Sequence, residues 1–134
     1  MLLVVNLFLI TNIYSYSAEI IEDEIIVGGV TCPITTDYRD EPQLLDIEEI
    51  KAGILLVNYD QNAGSGTFCL YSEQRTTVID LKKSICLGDY LRKNINLTSS
   101  DPQCDGINQP KWNISKNAII VQDEIGEQIA NIRI

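Results

Sequence analysis

Most apolar residues in this chain stand in short runs that are separated by clusters of Gly, Asn, Asp and Ser. Short runs rich in β-branched residues are typical of strands, whereas a helix shows a longer pattern with a period of 3.6 residues. The predicted strands cover residues 54–59, 67–71, 76–81, 94–98, 113–122 and 128–134. Strands of this length and spacing predict a mainly β fold, either a small antiparallel β-sandwich or a barrel-like domain.

One segment has a helical pattern instead. Leu44, Ile47 and Ile50 recur at the spacing of one helix face, and Asp40 is a residue type that caps helix N-termini. The pattern therefore predicts one short helix over residues 40–51.

The N-terminal segment has the features of a secretory signal peptide. Residues 2–10 are largely apolar, and Ser15 and Ser17 provide small residues where a signal peptidase cuts. Residues 1–17 are predicted to be removed by cleavage before Ala18. The apolar run is too short to span a bilayer. The alternative interpretation of this segment is a buried N-terminal strand. Cleavage would place the protein in the extracellular space.

The acidic residues are concentrated behind this segment. Residues 19–49 contain ten acidic and one basic residue, whereas residues 50–134 contain nine of each. We expect residues 18–49 to be an acidic region leading into the fold and residues 50–134 to be a β-rich core, together forming one domain. A chain with a net charge of −9 lacks the basic surface that nucleic acids and anionic membranes require.

Four cysteines follow the predicted cleavage site: Cys32, Cys69, Cys86 and Cys104. An even number of cysteines in a short secreted chain predicts a framework of two disulfides. Sequence alone leaves all three pairings open. We favour Cys69–Cys86 with Cys32–Cys104, because nested bridges close easily across neighbouring strands.

Two sequons support an extracellular location. They predict N-glycosylation of Asn96, which precedes Leu97 and Thr98, and of Asn113. Each Asn alternates with apolar neighbours, so both side chains are expected to point away from the core. The alternative is that both are ordinary surface asparagines.

The chain contains no histidine, which excludes the usual catalytic triads, Cys-His dyads and zinc sites. We therefore expect no catalytic residues, no cofactor and no resident metal. One alternative is a small hydrolase that depends on carboxylates, for which 19 acidic residues are available. Another is calcium binding by Asp37, Asp40 and Glu41, although these residues match no EF-hand spacing.

Residues 57–65 (VNYDQNAGS) are similar to the aromatic-acidic-Asn-Gly hairpin of βγ-crystallin-like domains. Residues 68–72, Cys86 and residues 128–134 are similar to crystallin-like secreted peptidase inhibitors. This resemblance implies a crystallin-like sandwich that binds calcium or inhibits a peptidase. Ala63 stands in place of the second aromatic residue, so the similarity gives an alternative function and no family assignment.

These observations together favour a small secreted glycoprotein, with disulfides and without catalytic activity, that binds another extracellular protein. Effectors, defence proteins and inhibitors are of this type. The predicted binding loops are residues 60–66 and 99–111. Trp112, the sole tryptophan, is expected to pack in the core rather than to anchor a partner.

Overall fold

The computed structural model describes residues 16–35, 41–64, 70–97 and 109–134. These residues form ten strands and no helix, which confirms the mainly β prediction. The strands are β1 (Ala18–Ile21), β2 (Glu24–Val27), β3 (Val30–Pro33), β4 (Gln43–Lys51), β5 (Ile54–Gly64), β6 (Leu70–Asp80), β7 (Ile85–Asn96), β8 (Lys111–Ile114), β9 (Ala118–Gln122) and β10 (Gln128–Arg133).

The strands form three antiparallel sheets. A central sheet has the order β4-β5-β6-β7. The N-terminal sheet, β1-β2-β3, packs on one face of it, and the C-terminal sheet, β8-β9-β10, packs on the other. Each sheet joins strands that are neighbours in sequence, so the connections are hairpins.

Strand β5 shows why the central sheet needs two covers. Successive side chains of a strand point to opposite faces, and the start of β5 is apolar at every position. Leu55, Val57 and Tyr59 pack beneath the N-terminal sheet, whereas Ile54 and Leu56 pack beneath the C-terminal sheet. All five are buried, with exposed fractions of 5 % or less. A continuous apolar run thus marks a strand that is covered on both sides.

The two outer sheets supply the matching halves of the two cores. The first core takes Ile25, Val27, Val30, Cys32 and Ile34 from the N-terminal segment. The second core takes Ile119, Val121 and Ile132 from the C-terminal sheet. In β2, β3 and β9 the buried residues alternate with exposed or half-buried ones, as expected of sheets with one solvated face.

The helix predicted over residues 40–51 is wrong, because residues 43–51 form strand β4. Ile47 packs on the first core and Ile50 on the second. A spacing of three residues places two side chains on one face of a helix but on opposite faces of a strand. Because the central sheet has a core on each side, this spacing suits β4 as well as it suits a helix.

Gly88 and Asp89 form a dipeptide whose residue types predict a turn, but this prediction is wrong, since both residues lie within the long strand β7. Two bulges interrupt the pairing of β7 with β6, at Leu87 and at Arg92. Gly88 follows the first bulge with a φ of 145°, and the ring of Tyr90 fills the space that a Cβ would need. The glycine permits the bulge, and the strand continues through it.

The structure contains the disulfide Cys32–Cys86, so the favoured pairing of these cysteines with Cys104 and Cys69 is wrong. The bond connects β3 of the N-terminal sheet to β7 of the central sheet, with 5.7 Å between the Cα atoms. Sequence gave no sign that β3 lies against β7, because 54 residues separate the two cysteines. Cys69 and Cys104 lie outside the described residues.

The bounds of two other predicted segments differ from those in the structure. Residues 113–122 form the hairpin of β8 and β9 rather than one strand, and residues 60–64 continue β5 instead of forming a loop. Residues 1–15 and most of the loop 99–111 lie outside the described ranges. In the part of the chain that the structure describes, no helix is long and apolar enough to cross a membrane.

Candidate functional site

Side chains from the C-terminal segment cover the backbone of the edge strand β7. The Trp112 indole N–H donates to the Leu91 carbonyl at 2.9 Å. The Gln109 amide donates to the Asn94 carbonyl at 2.7 Å and accepts from the Asn94 N–H at 3.3 Å. These contacts occupy groups that an added strand would use, so this part of the edge is closed to further pairing.

Trp112 is half-buried and packs against the margin of the second core, which agrees only in part with the core position predicted for it. Its ring lies edge-on to Tyr90, with 6.4 Å between the ring centroids. The Arg92 guanidinium lies over the indole at 4.7 Å from the centroid, which is the geometry of a cation–π contact. The bulge at Arg92 therefore places a cation beside the aromatic pair, at the wall of the second of two surface depressions described below.

The first depression, called the apolar cleft here, has a volume of about 420 Å³. Its walls combine six apolar side chains with an arginine and two acidic residues: Tyr90, Leu91, Pro110, Val121, Ile125 and Ile129, with Arg75, Asp123 and Glu124. Ile129 is 54 % exposed and Ile125 is 80 % exposed. The cleft is thus an accessible apolar surface with polar residues beside it.

The turn between β9 and β10 holds Ile125 in this exposed position. The Asp123 carboxylate accepts from the N–H groups of Ile125 at 3.1 Å and Glu127 at 2.8 Å. The Asp123 N–H donates to the Glu127 carbonyl at 2.8 Å, and Gly126 has a φ of 91°. The sequence DEIGE therefore builds a closed turn that presents one apolar side chain among three acidic residues.

The second depression, called the polar groove here, has a volume of about 690 Å³ and shares Pro110 with the cleft. Asp46 and Glu48 lie on one side, where both carboxylates accept hydrogen bonds from the Asn58 side-chain amide, at 2.6 and 3.0 Å. The buried Thr76 hydroxyl donates to the Asn58 oxygen, which turns the amide N–H groups toward the carboxylates. Arg92 and Lys93 also line this groove.

A polar network lies at the margin of the first core, around the half-buried Asp89. The Asp89 carboxylate accepts from the Tyr59 hydroxyl at 2.7 Å, from the Arg75 Nε at 3.3 Å and from the Thr35 N–H at 3.3 Å. Arg75 also pairs with Glu73 at 2.9 Å. The side chains of Arg75 and Asp89 are 15 % and 11 % exposed, so this ion pair is largely removed from water.

The network changes the acidity of Tyr59. Burial raises the pKa of the Tyr59 hydroxyl far above its ordinary value of 10, and the neighbouring Asp89 carboxylate raises it further. The neutral hydroxyl is the form that donates to Asp89. Tyr59 therefore stabilises the fold fully below about pH 10, the pKa of an unfolded tyrosine.

We expect the contribution of Tyr59 to stability to be lost as the pH rises above about 10. The free energy of unfolding should fall more steeply between pH 9 and pH 11 in the wild type than in Tyr59→Phe, which has no hydroxyl to ionise. Urea unfolding at a series of pH values measures the difference. Equal slopes for the two proteins would contradict the prediction.

The predicted glycosylation sites lie on different parts of the surface. Asn113 is exposed in β8, whereas Asn96 is half-buried at the end of β7. Leu97 is 50 % exposed, so it does not face a core as its sequence pattern predicted. Glycosylation of both residues stays a prediction.

Among the described residues, no group of three or more Cys, Asp or Glu side chains is arranged to hold a metal ion. Asp37 and Asp40 lie outside the described ranges, so calcium binding there stays an untested alternative. The carboxylates of the polar groove are neighbours on one strand and share one amide donor. They do not face each other across an open space, as the acid and nucleophile or base of a glycosidase do.

Sequence reasoning missed the apolar cleft, the polar groove and the Asp89 network. Each combines side chains that are far apart in the chain, and the two bulges in β7 decide which of its residues share a face. The bulge at Leu87 places Cys86 and Asp89 on the same face, where a regular strand would separate them. Gly88 inside an otherwise apolar segment was the available signal, since a glycine within a strand often marks a bulge.

No protein family, no curated protein and no solved structure matches this chain.

Proposed function

We propose that this protein is a secreted, non-catalytic module that binds another extracellular protein through the apolar cleft and the adjacent β9–β10 turn. The observation that carries the proposal is Ile125, which is 80 % exposed on a turn held closed by Asp123. A large aliphatic side chain in this position loses its contact with water only when a partner covers it.

The surroundings of Ile125 match the anatomy of a protein interface. Ile129 and the half-buried Leu91 extend the apolar surface, and Asp123 and Glu124 lie beside it. Interfaces of this kind have an apolar centre that is dehydrated on binding and a polar rim that remains hydrated. The hydrogen bonds of the turn order it before binding, which reduces the entropy lost on association.

The extracellular location is part of the same proposal. The disulfide Cys32–Cys86 supports it, because such bonds persist in oxidising compartments. The apolar run before Ser17 and the sequons at Asn96 and Asn113 agree with it. The protein recovered from culture medium is expected to begin at Ala18, to carry glycan and to lack free thiols, which intact mass before and after deglycosylation and reduction measures.

The binding surface can be tested with a photoreactive residue, p-benzoylphenylalanine, placed at position 125 or at position 21. Ile21 is a matched control, because it is also an exposed isoleucine, 50 % accessible, but lies on β1 in the N-terminal sheet. On irradiation with extracellular protein from the source organism, the probe at 125 should give one discrete adduct that the probe at 21 does not.

Competition then tests the role of Ile125 itself. Excess unlabelled wild type and Ile21→Asp should suppress the adduct equally. Ile125→Asp should compete at least ~30-fold more weakly, the effect of a hot-spot side chain worth about 2 kcal/mol. Equal competition by all three proteins, or the same adduct from both probe positions, would show that the cleft is not the binding surface.

A further inference from the structure

The two edges of the central sheet are treated differently. At β7, side chains of Gln109 and Trp112 occupy backbone groups that face outward. At β4, no hydrogen bond from any described residue reaches the outward backbone groups of residues 43–51. An edge of this kind offers N–H and C=O groups to an added strand.

Bulges define how much of β4 is regular. The pairing with β5 shifts at Leu45 and again at Ile50, which leaves residues 46–49 in uninterrupted register. Leu44 and Leu45 at one end of this run are 38 % and 46 % exposed. An added strand therefore pairs over a short stretch, with exposed leucines beside it.

The side chains of β4 differ between its two faces. On the side of the N-terminal sheet lie Ile47, which packs at the margin of the first core, and the exposed Glu49, whose carboxylate accepts from the Tyr16 hydroxyl and the Gly53 N–H. On the side of the polar groove lie the exposed carboxylates of Asp46 and Glu48. A strand added beside β4 would place alternate side chains next to an apolar surface and next to two acids.

These two acids have no cationic partner among the described residues, where the ion pairs found are those of Arg75 with Glu73 and Asp89. Their shared hydrogen-bond donor, the Asn58 amide, carries no charge. Basic side chains on an incoming strand would complement them, since opposite charges stabilise a cross-strand pair and like charges destabilise it. Pairing of β4 with a second copy, centred on Ile47, would place Asp46 opposite Glu48 and is disfavoured for the same reason.

We propose that β4 binds an extended segment of a partner protein in which apolar and basic residues alternate. The segment adds a fifth strand to the central sheet, with its apolar residues beside Ile47 and its Lys or Arg residues beside Asp46 and Glu48. The β4 edge is opposite β7 and the apolar cleft in the central sheet, although the polar groove beside Asp46 and Glu48 extends to the cleft at Pro110; neither Ile125 nor Ile129 lines that groove. Loss of binding at one surface therefore leaves the other testable.

Two peptides of identical composition test the proposal on the whole protein. One alternates lysine and valine over seven residues, and the other has its four lysines followed by its three valines; both are blocked at the termini and carry a fluorophore. The alternating peptide should bind about tenfold more tightly, as measured by fluorescence anisotropy, and should slow amide hydrogen exchange in residues 43–51. Equal affinity for both peptides without this protection would show general charge attraction and overturn the proposal.

Charge reversal supplies the second test. Asp46→Lys with Glu48→Lys should weaken binding of the alternating lysine peptide by at least about tenfold, because two attractive pairs become repulsive. Asp23→Lys with Glu24→Lys is the matched control, since both acids are exposed and the net charge changes equally. An equal loss in both double variants would contradict a site at β4. A wild type that elutes as a dimer with residues 43–51 protected would identify a second copy as the occupant and overturn the proposal.

Discussion

Asp89→Ala is expected to destabilise the protein by about 2–4 kcal/mol, because the largely buried Tyr59 hydroxyl and Arg75 guanidinium each lose a charged hydrogen-bond acceptor. The Asp89 carboxylate accepts from Tyr59, Arg75 and the Thr35 N–H in an environment that excludes most water. Its removal leaves the half-buried Arg75 guanidinium with Glu73 as its remaining ion-pair partner among the described residues. Urea unfolding at neutral pH, followed by circular dichroism, measures the loss.

Two comparisons separate the network from a general effect of removing a carboxylate. Asp46→Ala removes an exposed aspartate that contacts the Asn58 amide, and it should cost less than about 1 kcal/mol. Combining Asp89→Leu with Arg75→Met and Tyr59→Phe replaces the central polar groups together, so it should cost less than Asp89→Ala alone. If the triple variant is less stable than Asp89→Ala, the attractive interactions within the network stabilise the fold. The loss in Asp89→Ala would then not be explained by a charge that has lost its partner.

Removing the Cys32–Cys86 disulfide is expected to lower the free energy of unfolding by about 4 kcal/mol. The bond joins two residues that are 54 positions apart and so closes a long loop in the unfolded chain. Without the bond the unfolded chain gains conformational entropy, which stabilises the unfolded state by about 4 kcal/mol. Removing the bond also releases β3 from β7, because the two strands belong to different sheets and their backbones are not paired. Urea unfolding of the double variant Cys32→Ala with Cys86→Ala, compared with the wild type, gives the value.

A matched control uses the same core. Ile79 is buried in the first core and lies opposite Cys86 in the pairing of β6 with β7. Ile79→Val therefore removes one methylene group near the disulfide and leaves the bond intact. It should cost about 0.5–1.5 kcal/mol. If the cysteine double variant loses no more stability than Ile79→Val, the disulfide does not stabilise the fold in the way its loop length indicates.

The sequence was most informative about strand positions, which depend on the local pattern of apolar residues. The apolar run that begins at Ile54 predicts a buried strand, and residues 54–57 of β5 are buried on both faces of the sheet. The run alone does not reveal that two separate sheets cover it, because the partners Ile25 and Ile119 lie far away in the chain. Strand character is a local property, whereas the arrangement of the layers depends on contacts between distant segments.

The errors have one physical source. Leu44, Ile47 and Ile50 follow a helical period, but the sheet with two covered faces accepts the same spacing in a strand. Gly88 and Asp89 form a favourable pair for a turn, but pairing with β6 holds them in an extended strand with a bulge. In both segments tertiary pairing overrides the local preference. The same two segments form the candidate surfaces. The bulges in β7 position residues of the apolar cleft and the Asp89 network, and the edge of β4 forms the second proposed binding surface.

The double covering of the central sheet also has a consequence during synthesis. The chain emerges from its N-terminus, so β1 to β7 exist before the last outer sheet has been made. Until β8 to β10 are made, Ile54, Leu56 and Val78 lack the residues of the C-terminal sheet that cover them, which are Ile119, Val121 and Ile132. The unfinished chain therefore exposes an apolar face of the central sheet together with unpaired strand edges. A chain cut short before β8 is therefore expected to aggregate rather than fold.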